Sequence, residues 1–154
     1  MSYYDRTEAT HLDGSPIFAT RGDEDSERQV ASVLEQAWGV ELHRFGKLCA
    51  IDWWALRSGR LAGVLELKTR SHASTKYPTV YLNVRKWLAL TLAANGLGCP
   101  AIYVVRFEDG IFWTPVNEID ASQVTIGGCV RQVKSRSDVE PVIEVPIGKM
   151  TLAA

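Results

Sequence analysis

The sequence predicts a mixed α/β domain in which helices cover a central sheet. Three observations point there: an apolar period of helical spacing early in the chain, a switch to short β-forming segments in the middle, and a return to helical spacing before further strands. The 154 residues suit one domain able to bury its own core. At 46% hydrophobic and 23% charged, the composition is that of an ordinary globular chain.

Residues 1–22 show little periodicity and contain Gly14, Pro16 and Gly22, so they read as an arm that packs through Ile17 and Phe18. From Glu24 to Trp38 the residues Val30, Val33, Leu34, Ala37 and Trp38 recur at i, i+3, i+4, i+7 and i+8, an amphipathic helix with Asp23, Asp25 and Ser26 able to cap its start and Gly39 its end. Val40–Phe45, Leu48–Leu56 and Leu61–Thr69 are rich in β-formers and broken at Gly46-Lys47 and Ser58-Gly59-Arg60, a three-stranded meander. Ser71–Pro78 is a polar loop. A second helix follows over Val84–Ala94, capped by Asn83, burying Trp87, Leu88 and Leu92, and stopped by Asn95-Gly96. Ala101–Phe107 and Ile111–Pro115 form a hairpin around Glu108-Asp109-Gly110, the first apolar enough for a central strand. The tail offers strand-like pieces at Gln123–Ile126, Cys129–Val133 and Val142–Ile147. The predicted division is an arm over 1–22, a core over 23–117 and a β-rich extension of the same domain over 118–154.

No apolar run reaches the ~18 residues of a membrane span, and the polar start MSYYDRTEATHLDG lacks the regions of a signal peptide, so a cytoplasmic location is expected. Cys49, Cys99 and Cys129 are dispersed without a CxxC pair, which argues for buried thiols rather than disulfides or a zinc ribbon. His11, His43 and His72 are equally scattered. The net charge of −1 hides an uneven distribution. From Arg57 to Lys86 the bases Arg57, Arg60, Lys68, Arg70, Lys76, Arg85 and Lys86 face one acid, Glu66, while the stretch up to Glu27 is acidic. Taken alone, this distribution fits a solvated acidic tail and a solvated basic face better than a polyanionic partner.

Glu66 and Lys68 stand two apart in an otherwise apolar strand, so they share a face about 6.6 Å apart while Leu65 and Leu67 take the other. Burying such charges is costly unless partners compensate. Asp52 is likewise a lone acid in the apolar run Ala50-Ile51-Asp52-Trp53-Trp54. A three-residue loop at Ser58-Gly59-Arg60, with Arg57 opposite Leu61, sets Asp52 beside Glu66. A loop one residue shorter or longer puts Asp52 opposite Leu65 and the carboxylates on opposite faces, unless a bulge intervenes. Two adjacent carboxylates call for a hard cation, best Mg²⁺, which polarises a phosphodiester and acidifies a bound water. Lys68 then orients that water or stabilises charge on phosphorus. An exposed ion-paired strand in an ordinary α/β domain is the competing account.

Asp52, thirteen intervening residues, then Glu66-Leu67-Lys68 resembles the D-(x)n-(D/E)xK signature of the PD-(D/E)xK nucleases, with Ile51 where the name-giving proline stands. The resemblance covers roughly residues 24–108 and implies a restriction-endonuclease-like α-β-β-β-α-β core. It further implies Asp52, Glu66 and the Leu67 carbonyl as metal ligands, Mg²⁺ as cofactor with Mn²⁺ substituting, Lys68 as the catalytic lysine and DNA as partner, with a homodimer compatible. Small members of the superfamily resemble junction resolvases, phage-encoded endonucleases and nickases. Many members carry a helper glutamate on the first helix. Glu27, about 50° from the centre of the apolar stripe, is the candidate here, although a first-turn glutamate also suits the helix dipole. In the loop Thr69–Thr79, Arg70, His72, Lys76 and Tyr77 are candidate phosphate and stacking groups, joined by Arg85 and Lys86 at the second helix. Of the tryptophans, Trp54 shares a face with Asp52. A protein that keeps the fold but only binds nucleic acid is the alternative function.

Overall fold

The computed structural model describes residues 21–46, 49–128 and 139–154. Helix α1 (Arg21–Trp38) leads into strands β1 (Glu41–Arg44), β2 (Trp53–Arg57) and β3 (Arg60–Thr69). Strand β4 (Thr79–Asn83) runs directly into helix α2 (Val84–Leu97), followed by β5 (Ala101–Phe107), β6 (Gly110–Pro115), β7 (Val124–Gly128), β8 (Val139–Pro146) and β9 (Thr151–Leu152). Within the described residues a six-stranded sheet has the order β1-β2-β3-β5-β6-β9, and a second sheet the order β4-β8-β7. The β3–β5 pair is parallel and its neighbours antiparallel, so the large sheet is mixed, with β4 and α2 forming the crossover that parallel pairing requires.

Two cores flank the large sheet. On one face Val30, Ala31 and Leu34 of α1 pack with Leu42, Trp53, Leu65, Leu67 and Val104. On the other, Leu90 of α2 and Val80, Leu82 and Val145 of the small sheet cover Val64, Tyr103 and Val105. Alternation along β3 therefore assigns odd residues to α1 and even residues to α2.

The hairpin between β2 and β3 departs from the sequence expectation. Its turn has two residues, not three: Ser58 (φ 51°) and Gly59 (φ 73°), with Arg57 paired to Arg60. Two consecutive left-handed residues are what a two-residue hairpin matched to strand twist demands, and Gly59 adopts that backbone without penalty. Continued unbroken, this register would carry Asp52 to Leu65. A bulge between Ala55 and Leu56 intervenes, pairing Ala55 with Gly63 and Trp53 with Leu65, so the next step brings Asp52 level with Glu66.

Other expectations also shift. Helix α2 extends past Asn95-Gly96 to Leu97, where left-handed Gly98 (φ 63°) caps it. Leu88 and Leu92 are exposed and Leu90 is the buried leucine, with Trp87, Ala93 and Ala94 beside it. An all-round apolar helix gives the period little to choose between these faces. Asn83 precedes α2 but makes no side-chain cap; its amide bonds Glu140 Oε1 from β8. The strand Thr79–Asn83 has no counterpart among the elements expected from the sequence. Cys49 is exposed and Cys99 half-buried, not the buried thiols expected. The packing of Ile17 and Phe18, the state of Cys129 and the Cys129–Val133 segment lie outside the described residues.

Candidate active site

Asp52, Glu66 and Lys68 meet on the α2 side of the large sheet, and Lys86 joins them from above. Asp52 sits one residue before β2, where its carbonyl accepts the Phe45 N–H at 3.0 Å and continues the β1–β2 pairing. Glu66 lies mid-strand and fully buried. Because β4 leads into α2 without a linker, the first helical turn delivers Lys86 to both acids: Nζ is 2.7 Å from Asp52 Oδ1 and 2.8 Å from Glu66 Oε2. Lys68 Nζ lies 3.3 Å from Glu66 Oε1 and is more open to solvent.

Burial pushes the Glu66 carboxyl up to about 7; the Lys68 and Lys86 ammoniums oppose this, whereas the Asp52 charge and the hydrogen bond a protonated Glu66 makes to Asp52 add to it. For Asp52 burial acts in the same upward direction, but the hydrogen bond with Glu66 and the charges of Lys86 and Lys68 outweigh it, leaving Asp52 below its ordinary value. Lys86 is held above its usual range, since Glu66 and Asp52 overcome the effect of its burial. Below Glu66, its β5 neighbour Tyr103 is fully buried and donates to the Tyr81 carbonyl at 2.9 Å; burial raises this phenol and keeps it neutral.

The cluster suits a hard divalent cation. Both Glu66 carboxylate oxygens are closed to solvent, and the cations that face them are two ammoniums, Lys86 Nζ at 2.8 Å from Oε2 and Lys68 Nζ at 3.3 Å from Oε1. Among the described residues no group of three or more His, Cys, Asp or Glu side chains gathers. The side-chain donors are thus two carboxylates, a set suited to an ion that retains several waters, as Mg²⁺ does.

Glu27 is not brought to this cluster. Its Oε2 is 3.0 Å from Arg44 Nη2, and the Arg44 guanidinium lies 5.4 Å from the Trp53 ring centroid, on the α1 side of the sheet. Arg70, His72, Tyr77, Thr79 and Tyr81 line a cleft of about 310 Å³. The edge of His72 meets Tyr77 at 5.2 Å, and Lys76 Nζ lies 5.3 Å from the Tyr77 ring. Arg85 is at the surface, 4.0 Å from Glu140. Trp54 stacks on His43 at 4.7 Å. A brace on the cleft loop was not foreseen: Asp109 accepts the Ser74 N–H and the Ser74 hydroxyl, both at 2.7 Å. Its one trace in the sequence is the Glu108-Asp109-Gly110 turn.

An α-β-β-β-α-β core, here with β4 entered before α2, that carries an aspartate at the start of its second strand and an ExK motif on its third is that of the PD-(D/E)xK nuclease class. The chain belongs to the family described as "Phage putative PDDEXK endonuclease", whose sequence model matches residues 14–153. Among solved structures, the chain is similar to Hjc, a Holliday junction resolvase of the archaeal hyperthermophile Archaeoglobus fulgidus. That likeness has a TM-score of 0.52 at 20% identity over 65% of this chain and 77% of the other, and it is one of fold. No curated protein matches the sequence. Among the described residues no helix is long and apolar enough to cross a membrane.

Proposed function

We propose that this protein is a divalent-metal-dependent DNA endonuclease, acting in the host cytoplasm and selective for branched substrates. The observation that carries the reading is that the Asp52 and Glu66 carboxylates converge on a single cation-sized position, marked by an ammonium 2.7 and 2.8 Å from them. Asp52, Glu66 and the Leu67 carbonyl would hold Mg²⁺, or Mn²⁺ in its place, and the bound ion would supply a polarised phosphodiester and a more acidic water. Lys68 pairs with one Glu66 oxygen and reaches solvent, so it can hold the attacking water against the phosphate. Arg70, His72, Lys76 and Arg85 supply phosphate contacts, and Tyr77 a stacking face, along the strand's path away from the site. Glu27, the helper glutamate of the first helix, is paired with Arg44 and stands outside the ligand set proposed here. Selectivity for branched DNA rests on the fold shared with a junction resolvase, and two copies of the chain would present two sites to one branch point.

The test is a cleavage assay on plasmid, linear duplex and four-way-junction DNA with Mg²⁺ or Mn²⁺, comparing the wild type with Lys68→Ala. The expected result is metal-dependent cleavage strongest on the junction, reduced about 10²–10⁴-fold in the variant. Equal results for the two proteins defeat the enzymatic reading, and equal rates on all three DNAs defeat the selectivity.

A further inference from the structure

On the reading that Asp52 and Glu66 are ligands of a divalent ion, on which this inference rests, Lys86 stands where that ion belongs. Its side chain is only 20% exposed, and its Nζ touches one oxygen of each carboxylate. Lys68 differs, leaning on Glu66 alone from a more open position. An ammonium that bridges both acids and a metal bound by both acids exclude each other, since the two cations would share one small volume inside the protein.

We infer that Lys86 is a resident counter-ion that holds the carboxylates together in the metal-free protein and must leave its seat before a divalent ion binds. Without it, two buried acids would face each other uncompensated. Its flexible four-carbon stem is suited to such a move, and the nearest use for the released charge is a phosphate of the incoming strand. Metal and DNA then help each other: the ion frees the lysine, and the phosphate keeps it away. A helix-borne lysine that contacts phosphate only, as the sequence alone suggests, needs no bridge to two acids.

The experiment measures Mn²⁺ affinity by calorimetry on DNA-free wild type, Lys86→Met, Lys86→Arg and Asp52→Asn. Lys86→Met should bind Mn²⁺ about tenfold tighter than the wild type or better; Lys86→Arg, which keeps the charge, should show no gain, and Asp52→Asn should lose binding. Should Lys86→Met not fold, the wild type decides the matter alone: acetylation of Lys86, mapped by mass spectrometry against exposed Lys149, should rise when Mn²⁺ is added. Unchanged or weaker affinity in folded Lys86→Met, or unchanged acetylation at saturating metal, overturns the role of Lys86 while Asp52→Asn still reports the metal site. Absence of Mn²⁺ binding in all four proteins overturns the metal reading and this inference with it.

Discussion

On the α1 side of β3, Leu65 and Leu67 are buried among Val30, Leu34 and Trp53, whereas on the α2 side Glu66 is buried as deeply among Asp52, Lys68 and Lys86. One strand thus supports two environments a single residue apart. Each leucine contributes roughly 1.5–3 kcal/mol by leaving water. The charged face gives no such return, because two acids and two ammoniums must be desolvated before their attraction counts. At this stretch of β3 the leucines stabilise the α1 side, while on the α2 side the charged cluster, set beside the apolar core of Val64, Leu90 and Tyr103, is an arrangement which stability alone does not select.

Neighbouring substitutions break this comparison most sharply. Lys68→Ala should lower cleavage about 10²–10⁴-fold while moving the unfolding midpoint little, since the side chain is a third exposed and its partner keeps Lys86. Leu67→Ala should do the reverse, costing about 2–4 kcal/mol in denaturant unfolding with activity per folded molecule retained, because the backbone carbonyl proposed as a ligand survives the change. Loss of both stability and turnover in each variant would show that the faces are not separable.

What could be read from the sequence divides along the same physical lines. Period and charge are local, so α1, the meander and the isolation of Asp52, Glu66 and Lys68 were all legible. The register was not, because a two-residue turn at Ser58-Gly59 and a bulge at Ala55/Leu56 offset each other, and the expected facing of Asp52 and Glu66 arose by a different route. Lys86 was legible as a cation at a helix start, not as a bridge; that depends on β4 running straight into α2. Strand β4 itself pairs with β8, more than fifty residues away in sequence, a contact that local propensity does not encode.

A milder test of the charged face is to neutralise Glu66 and follow stability against pH. Its carboxyl titrates near 7 in the folded protein against 4.5 for the ordinary value. Below 4.5 the group is protonated in both states and adds nothing; between 4.5 and 7 the unfolded chain ionises first, which favours unfolding; above 7 the penalty is complete. Glu66→Gln in the metal-free protein should therefore match the wild type at about pH 4 and exceed it by about 1–3 kcal/mol at about pH 8. A glutamine variant less stable than wild type at the higher pH would mean that the two ammoniums, not burial, dominate at Glu66.

The smallest effect is expected where opposite charges meet in the open. Arg28 Nη2 lies 3.3 Å from Glu35 Oε2 and its Nη1 donates to the Leu42 carbonyl at 3.1 Å, but the Arg28 side chain is 56% exposed, so Arg28→Ala should cost no more than about 1 kcal/mol, less still at high salt. Glu35 also holds the backbone, since its Oε1 accepts the Leu42 N–H at 2.8 Å on the outer edge of β1, where no further strand is available among the described residues. Glu35→Ala leaves that partly buried donor without its acceptor and should cost about 1 kcal/mol. Neither variant should alter cleavage. An effect of Arg28→Ala as large as that of Glu66→Gln would mean that charge pairing itself, rather than burial, sets the energetics, and the contrast between the two faces of β3 would lose its physical basis.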